Sequence, residues 1–173
     1  TVVGTGVACV TKDFGSGADC SLATVELAPD GRITINSDAV EMGTAIGTAL
    51  ANRVALLLGG MADQVAMARV DVFGALALFT SGDTYSMTQA AQDAAARNPR
   101  WVPQISSPSS SSVGAHISTH GAAEAAKLIF RFGLWPAALE LWNIAATDPL
   151  AQQGMAARWQ DGQLTLPGKP ALP

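Results

Sequence analysis

The hydrophobic period of this chain changes at Gly43, and that switch limits what the chain can fold into. Before it, Ala23, Val25 and Leu27 alternate with polar neighbours, Pro29-Asp30-Gly31 supplies a turn, and Ile33 and Ile35 resume the alternation. That pattern predicts a β-hairpin. After it, Ile46, Leu50, Val54 and Leu57 fall on one helical face, which predicts a helix over Thr44 to Leu58 stopped by Gly59-Gly60. A strand that ends at a glycine and feeds a helix presents backbone N–H groups and the positive end of a helix dipole, which suits an anion or phosphate. A second segment of this kind is the serine run Ser109-Ser110-Ser111-Ser112-Val113-Gly114, which also leads into a helix.

Around these two segments the remaining elements fall into place. Val7 to Val10 reads as a short strand followed by a turn through Gly15-Ser16-Gly17, and Val65 to Val72 alternates as another strand. Gly82-Asp83-Thr84 opens a polar stretch reaching Pro108, with a short helix over Thr88 to Arg97 and loop marked by Pro99, Pro103 and Pro108. A loop of that length points to a functional or covering role. A long helix is expected from Ala115 to Phe132, where Ile117, Gly121, Ala122, Ala125, Leu128, Ile129 and Phe132 fit the 3.6-residue period and the small residues allow close packing. Gly133 should end it, and Pro136 suits the first turn of a further helix over Trp135 to Ile144. Arg158 to Leu164 looks like a small hairpin. The sum is an α+β fold: short β-hairpins and strands packed against two or three helices.

With 173 residues the chain can build one domain with a real core. Ten basic and 14 acidic side chains give a net charge of −4, without any basic cluster, which argues against nucleic acid or an anionic membrane as partner. Charged residues make up only 14%, against about 25% in typical soluble domains. Surface this poor in charge is expected to be covered by other protein, the alternative being an ordinary monomer with a surface rich in Ser, Thr and Gln. No apolar run reaches the roughly 18 residues of a membrane span. The chain opens on Thr1 without a signal-peptide pattern, so a processed chain or a segment of a longer protein is expected, and its compartment, bacterial cytoplasm or periplasm, is left open. Cys9 and Cys20 are too few for a disulfide framework or a four-cysteine metal site. Buried thiols are expected, with a single disulfide left open.

At the residues named above the sequence resembles the molybdopterin-binding large subunit of the xanthine dehydrogenase and aldehyde oxidase family. It is most similar to the isoquinoline 1-oxidoreductase-type beta subunits, over the second cofactor-binding region. The resemblance runs from about residue 2 to 145, so residues 1–145 are read as a molybdopterin-binding segment and 146–173 as a tail. In the family a strand leads into a Glu-Met-Gly-Gln-Gly turn touching the pterin; here the turn reads Glu41-Met42-Gly43-Thr44-Ala45, with the family's following threonine at Thr48. Gly82-Asp83-Thr84 resembles the family's Asp-Thr step, and the serine run stands where the family has a small-residue loop around the pterin phosphate. The resemblance implies cofactor contacts from Gly43, Thr44, Ala45, Ser110, Ser111, Ser112 and Gly114. It also implies the rest of a molybdenum subunit and an iron–sulfur subunit as partners, and a small aldehyde or N-heteroaromatic substrate. Thr44 stands in place of the family's glutamine and Ala45 in place of its second glycine. The family's catalytic glutamate has no counterpart after Thr147, where the tail carries no glutamate, so no catalytic residue is expected in this chain.

Other residues carry plainer expectations. Glu41 should brace the glycine turn by accepting backbone N–H groups, and Asp83 should make an Asx turn. His116 and His120 have a metal-ligand spacing, but no third ligand stands out, so a satisfied structural role is expected and no resident metal. Trp101, Trp135 and Trp142 are expected as core or interface anchors. Two further functions compete with the first: an N-terminal nucleophile hydrolase using Thr1, and a non-catalytic scaffold with a degraded cofactor pocket.

Overall fold

The computed structural model describes residues 21–69, 71–81, 86–102 and 114–173. The expectations placed on Thr1, Val7 to Val10, Cys9, Gly15 to Gly17, Cys20, Asp83, Pro103, Pro108 and the serine run lie outside them. Within them the fold is α+β.

Strands β1 (Ala23–Leu27) and β2 (Ile33–Ser37) pair antiparallel, with Ala23 opposite Ser37 and Leu27 opposite Ile33. Gly31 makes the predicted turn possible with a φ of +87°, and its N–H donates to the Ala28 carbonyl. Helix α1 (Ile46–Leu58) then carries the chain back so that β3 (Gln64–Ala66) lies parallel to β2. A parallel neighbour needs such a crossover, which places α1 against the sheet. The period-2 pattern puts Ile33, Ile35 and Ser37 of the central strand on the buried face. They meet Ile46, Leu50, Val54 and Leu58 from α1, and Ala122 and Ala126 from helix α3. The long strand expected over Val65 to Val72 is corrected to three residues. Ala68 takes a φ of +55°, which turns the chain out of extended conformation, and a 3-10 turn follows over Asp71–Leu76.

Helix α2 (Gln89–Ala95) forms where expected, with the Thr88 hydroxyl accepting from Ala91 N at 3.2 Å as an N-cap. Helix α3 (Gly114–Ile129) does not end at Gly133. A π-helical turn over Phe130–Leu134 joins it directly to α4 (Trp135–Leu141). The physical reason is Pro136, which has no N–H and whose ring would strike the carbonyl one turn back in a regular helix. The wider turn lets Trp135 N–H reach the Phe130 carbonyl instead.

Residues after α4 pack onto it. Trp135, Ala138, Leu139, Trp142 and Ile144 bury themselves against Ala157, Leu164 and Leu166. The expected hairpin is β4 (Arg158–Gln160) and β5 (Gln163–Thr165) around Asp161 and Gly162, both at positive φ as a type I′ turn requires. Leu164 and Leu172 exchange both backbone hydrogen bonds and fasten the chain end beside β5. Trp101, Trp135 and Trp142 are each more than nine-tenths buried, so all three serve as core anchors as expected.

Phe130 packs against both cores, and a second contact ties them at the end of α1. Trp159 of β4 lays its ring on Gly59, the residue that ends α1, and its Nε1 donates to the Leu57 carbonyl at 3.0 Å. Gly59 is at a φ of +81°, and a Cβ there would strike the indole ring of Trp159. Gly59→Ala should therefore cost about 2–4 kcal/mol in urea unfolding, from overpacking and left-handed strain together. With Trp159 already replaced by alanine, only the strain share, about 1 kcal/mol, should remain. Equal costs in both backgrounds would refute the contact.

Candidate functional site

The turn between β2 and α1 is tied down from both sides. Asp38 Oδ1 accepts from Leu22 N at 3.0 Å while Asp38 N donates to the Leu22 carbonyl at 3.1 Å. On the other side, Arg69 N donates to Ser37 O and Ala68 N to Ala39 O. Ser37 and Asp38 are buried, and burial pushes the Asp38 carboxyl above its ordinary range despite the Leu22 hydrogen bond.

Beyond Ala39 the chain is exposed, and Glu41 organises it. Its Oε1 accepts from Gly43 N at 2.8 Å and Ala45 N at 3.0 Å, and its Oε2 from Gly47 N at 3.2 Å. The bracing role read from sequence is what these bonds describe. Two of these N–H groups, those of Ala45 and Gly47, belong to the start of α1, where helix geometry leaves donors without partners; one carboxylate satisfies them together with Gly43, and its negative charge sits at the positive end of α1. Those bonds, Gly47's first, hold the Glu41 carboxyl below its ordinary range. Ala45, the residue before the helix, gives no side-chain cap of its own.

Two residues of this turn adopt left-handed backbone: Gly43 at a φ of +93° and Ala45 at +59°. Open space surrounds the position of a Cβ at Gly43, so its conformation and not crowding calls for glycine there. Ala45 occupies the same kind of conformation with a methyl group, which costs about 1–2 kcal/mol. Thr44 stands exposed between them.

The serine half of the candidate site lies outside the described residues, apart from Gly114, which is buried at the start of α3. The direction of α3 is nevertheless clear. Gly121 lies against Ser21 and Ala23, at the end of the sheet where β2 finishes and the Glu41 turn begins. Phe130, at the far end, packs toward the second core, whose Trp159 rests on the last residues of α1. Helices α1 and α3 therefore both start from the same end of the sheet.

Other features lie elsewhere. A shallow groove of about 380 Å³ lined by Asn52, Leu56, Gly59, Trp159 and Asp161 sits at the opposite end of α1 from the turn. His116 and His120 are exposed on α3, which corrects the expectation of satisfied structural histidines; their positions fall on the solvent side of the helix, while Ala122 and Ala126 face inward. Among the described residues, no group of three His, Cys, Asp or Glu side chains could hold a metal. None of the described helices is long and apolar enough to cross a membrane. Sequence reasoning missed the partner of Trp159; the Gly59-Gly60 pair marks the helix end, but nothing in the pattern says that an indole covers it.

The turn yields two predictions. A lowered carboxyl pKa stabilises the fold above the ordinary carboxylate range, and that share disappears as pH falls through the lowered value. Glu41→Gln should thus be less stable than the native chain at neutral pH, and the gap should close below about pH 4.5 in acid-unfolding curves. Asp38, which shifts the other way, is common to both proteins and cancels. Ala45→Gly should raise stability by about 0.5–1 kcal/mol in denaturant unfolding, since strain relief exceeds the added chain entropy; a loss instead would contradict the left-handed assignment. Compared with known proteins, the chain matches no family model, no curated relative and no solved structure.

Proposed function

We propose that this chain is the cofactor-holding segment of a molybdenum hydroxylase-type oxidoreductase acting on an aldehyde or N-heteroaromatic substrate. The observation that carries the proposal is the backbone of the Glu41–Ala45 turn. Positions 43 and 45 are those where the resembled family places glycine, and both take the left-handed conformation that glycine favours. The common starting end of α1 and α3 adds to it, since it puts Gly114 and the turn on one side of the sheet.

The donor set limits how the turn can contact a pterin. Glu41 already accepts the Gly43, Ala45 and Gly47 N–H groups, so these do not serve a phosphate while Glu41 is ionised and in place. What fits is contact along the outer rim: the open Cα face of Gly43, the Thr44 hydroxyl with a single hydrogen bond to give, and the Ala45 methyl. The pterin phosphate then falls to Ser110, Ser111, Ser112 and Gly114. When bound, the molybdenum–pterin group supplies the oxidation chemistry, with electrons leaving through iron–sulfur clusters on a partner chain. This chain's part is to orient the cofactor on a turn kept rigid by Glu41. Val40, Met42, Leu56, Phe132 and Leu141 are all more than half exposed, which supports a chain that works against the remainder of a larger subunit.

Thr44 and the occupied N–H groups favour one competing reading, a scaffold whose pocket no longer holds cofactor. Molybdenum analysis and pterin fluorescence on the intact assembly separate the two. The first reading expects both signals, and Thr44→Ala should lower cofactor retention. Absence of both signals, with recovery on Thr44→Gln, would establish the scaffold; absence in both proteins would remove the cofactor from the account.

A further inference from the structure

The chain contains only two histidines, and α3 places them one turn apart on its exposed side. Residues four apart on a helix are surface neighbours, with Cβ atoms about 5–6 Å apart. Neither imidazole makes a hydrogen bond among the described residues, so no protein partner competes for the ring nitrogens there. From this arrangement we infer that His116 and His120 form a two-nitrogen chelate site for a borderline divalent transition metal, with Cu²⁺ bound most tightly.

The chemistry follows from the ligands. Two neutral imidazoles suit Cu²⁺, Ni²⁺ and Zn²⁺, and the order of affinities puts Cu²⁺ first. Both donors come from one helix held by the α1–α3 packing, so the second ring binds without further ordering of the backbone. Glu124, one turn beyond His120, does not complete a third position. Lys127 Nζ holds its carboxylate at 2.6 Å, and His120 and Arg53 also bear on its charge. Water fills the remaining coordination positions, which makes this an accessible surface site and not a closed structural one. The inference stands apart from the proposed function and does not depend on it.

The test is titration of Cu²⁺ alone, in a non-coordinating buffer, into the native chain, His116→Ala, His120→Ala and the double variant. Cys9 and Cys20 are present in all four proteins, so their contribution cancels. Both histidines are exposed and alanine favours helix, so the variants should keep the native far-ultraviolet circular dichroism. The native chain should bind one equivalent that the double variant lacks, and each single variant should lose it at concentrations that half-load the native site. Cu²⁺ should raise the melting temperature of the native chain by several degrees and leave the double variant unchanged. The electron paramagnetic resonance spectrum should carry two nitrogen donors. An identical titration for the double variant, a full equivalent in either single variant, or a spectrum with fewer than two nitrogens would overturn the site.

Discussion

Helix α3 can lie against α1 and β1 only because its inner face is made of small side chains. Ala122, Ala123 and Ala126 are almost completely buried, and Gly121 passes Ser21 and Ala23 with room for no more than a methyl group. Larger residues along this seam would force the helix away or strain its neighbours, at about 1–3 kcal/mol per position. The seam fixes more than packing. By holding α3 alongside α1 over the buried face of β2, it brings the two helix starts to one end of the sheet, and any site built from both depends on that.

At that end the electrostatics are settled within the chain. A helix start with free N–H groups would attract an anion, yet here the anion is Glu41 itself. The turn is consequently rigid and already neutralised before any ligand arrives. On the proposed reading this changes what the turn can offer a ligand, namely shape and a hydroxyl, and assigns phosphate recognition to the residues that open α3.

How far the sequence reveals this structure depends on the range of the interactions. The hairpin, α1, α2 and the β4–β5 hairpin are governed by neighbours within a few residues, and alternation, helical period, Thr88 and the Asp161-Gly162 pair announce them. The bracing by Glu41 is also local, reaching no further than Gly47. The failures have two kinds. Val65 to Val72 alternates like a strand, but Ala68 is drawn into left-handed backbone as its N–H bonds back to Ala39, a contact that periodicity does not encode. Gly133 and Pro136 read as the end of one helix and the start of another, whereas burial of Phe130 and Trp135 in linked cores favours one bent helix with a wide turn. For the candidate site, the left-handed conformation of Ala45 was not legible, because alanine carries no local signal for positive φ. The exposure of His116 and His120 follows from which side of α3 meets α1, a tertiary choice.

Charge does little to hold these parts together. The ion pairs among the described residues, Arg32 with Asp30, Arg69 with Asp71 and Lys127 with Glu124, each join residues two or three apart and stand substantially exposed. Such pairs contribute at most about 1 kcal/mol and connect no distant elements. Indole groups do that work instead. Trp135 donates to the Ala151 carbonyl, Trp142 to Pro170 and Trp159 to Leu57, each joining segments well separated in sequence while burying a large ring. A chain stabilised in this way can leave its surface poor in charge. Among the described residues Glu41 has only backbone partners, and no cation pairs with it. On the proposed reading this divides the labour: an incoming phosphate would meet a carboxylate at the turn, so its donors have to come from the residues that open α3.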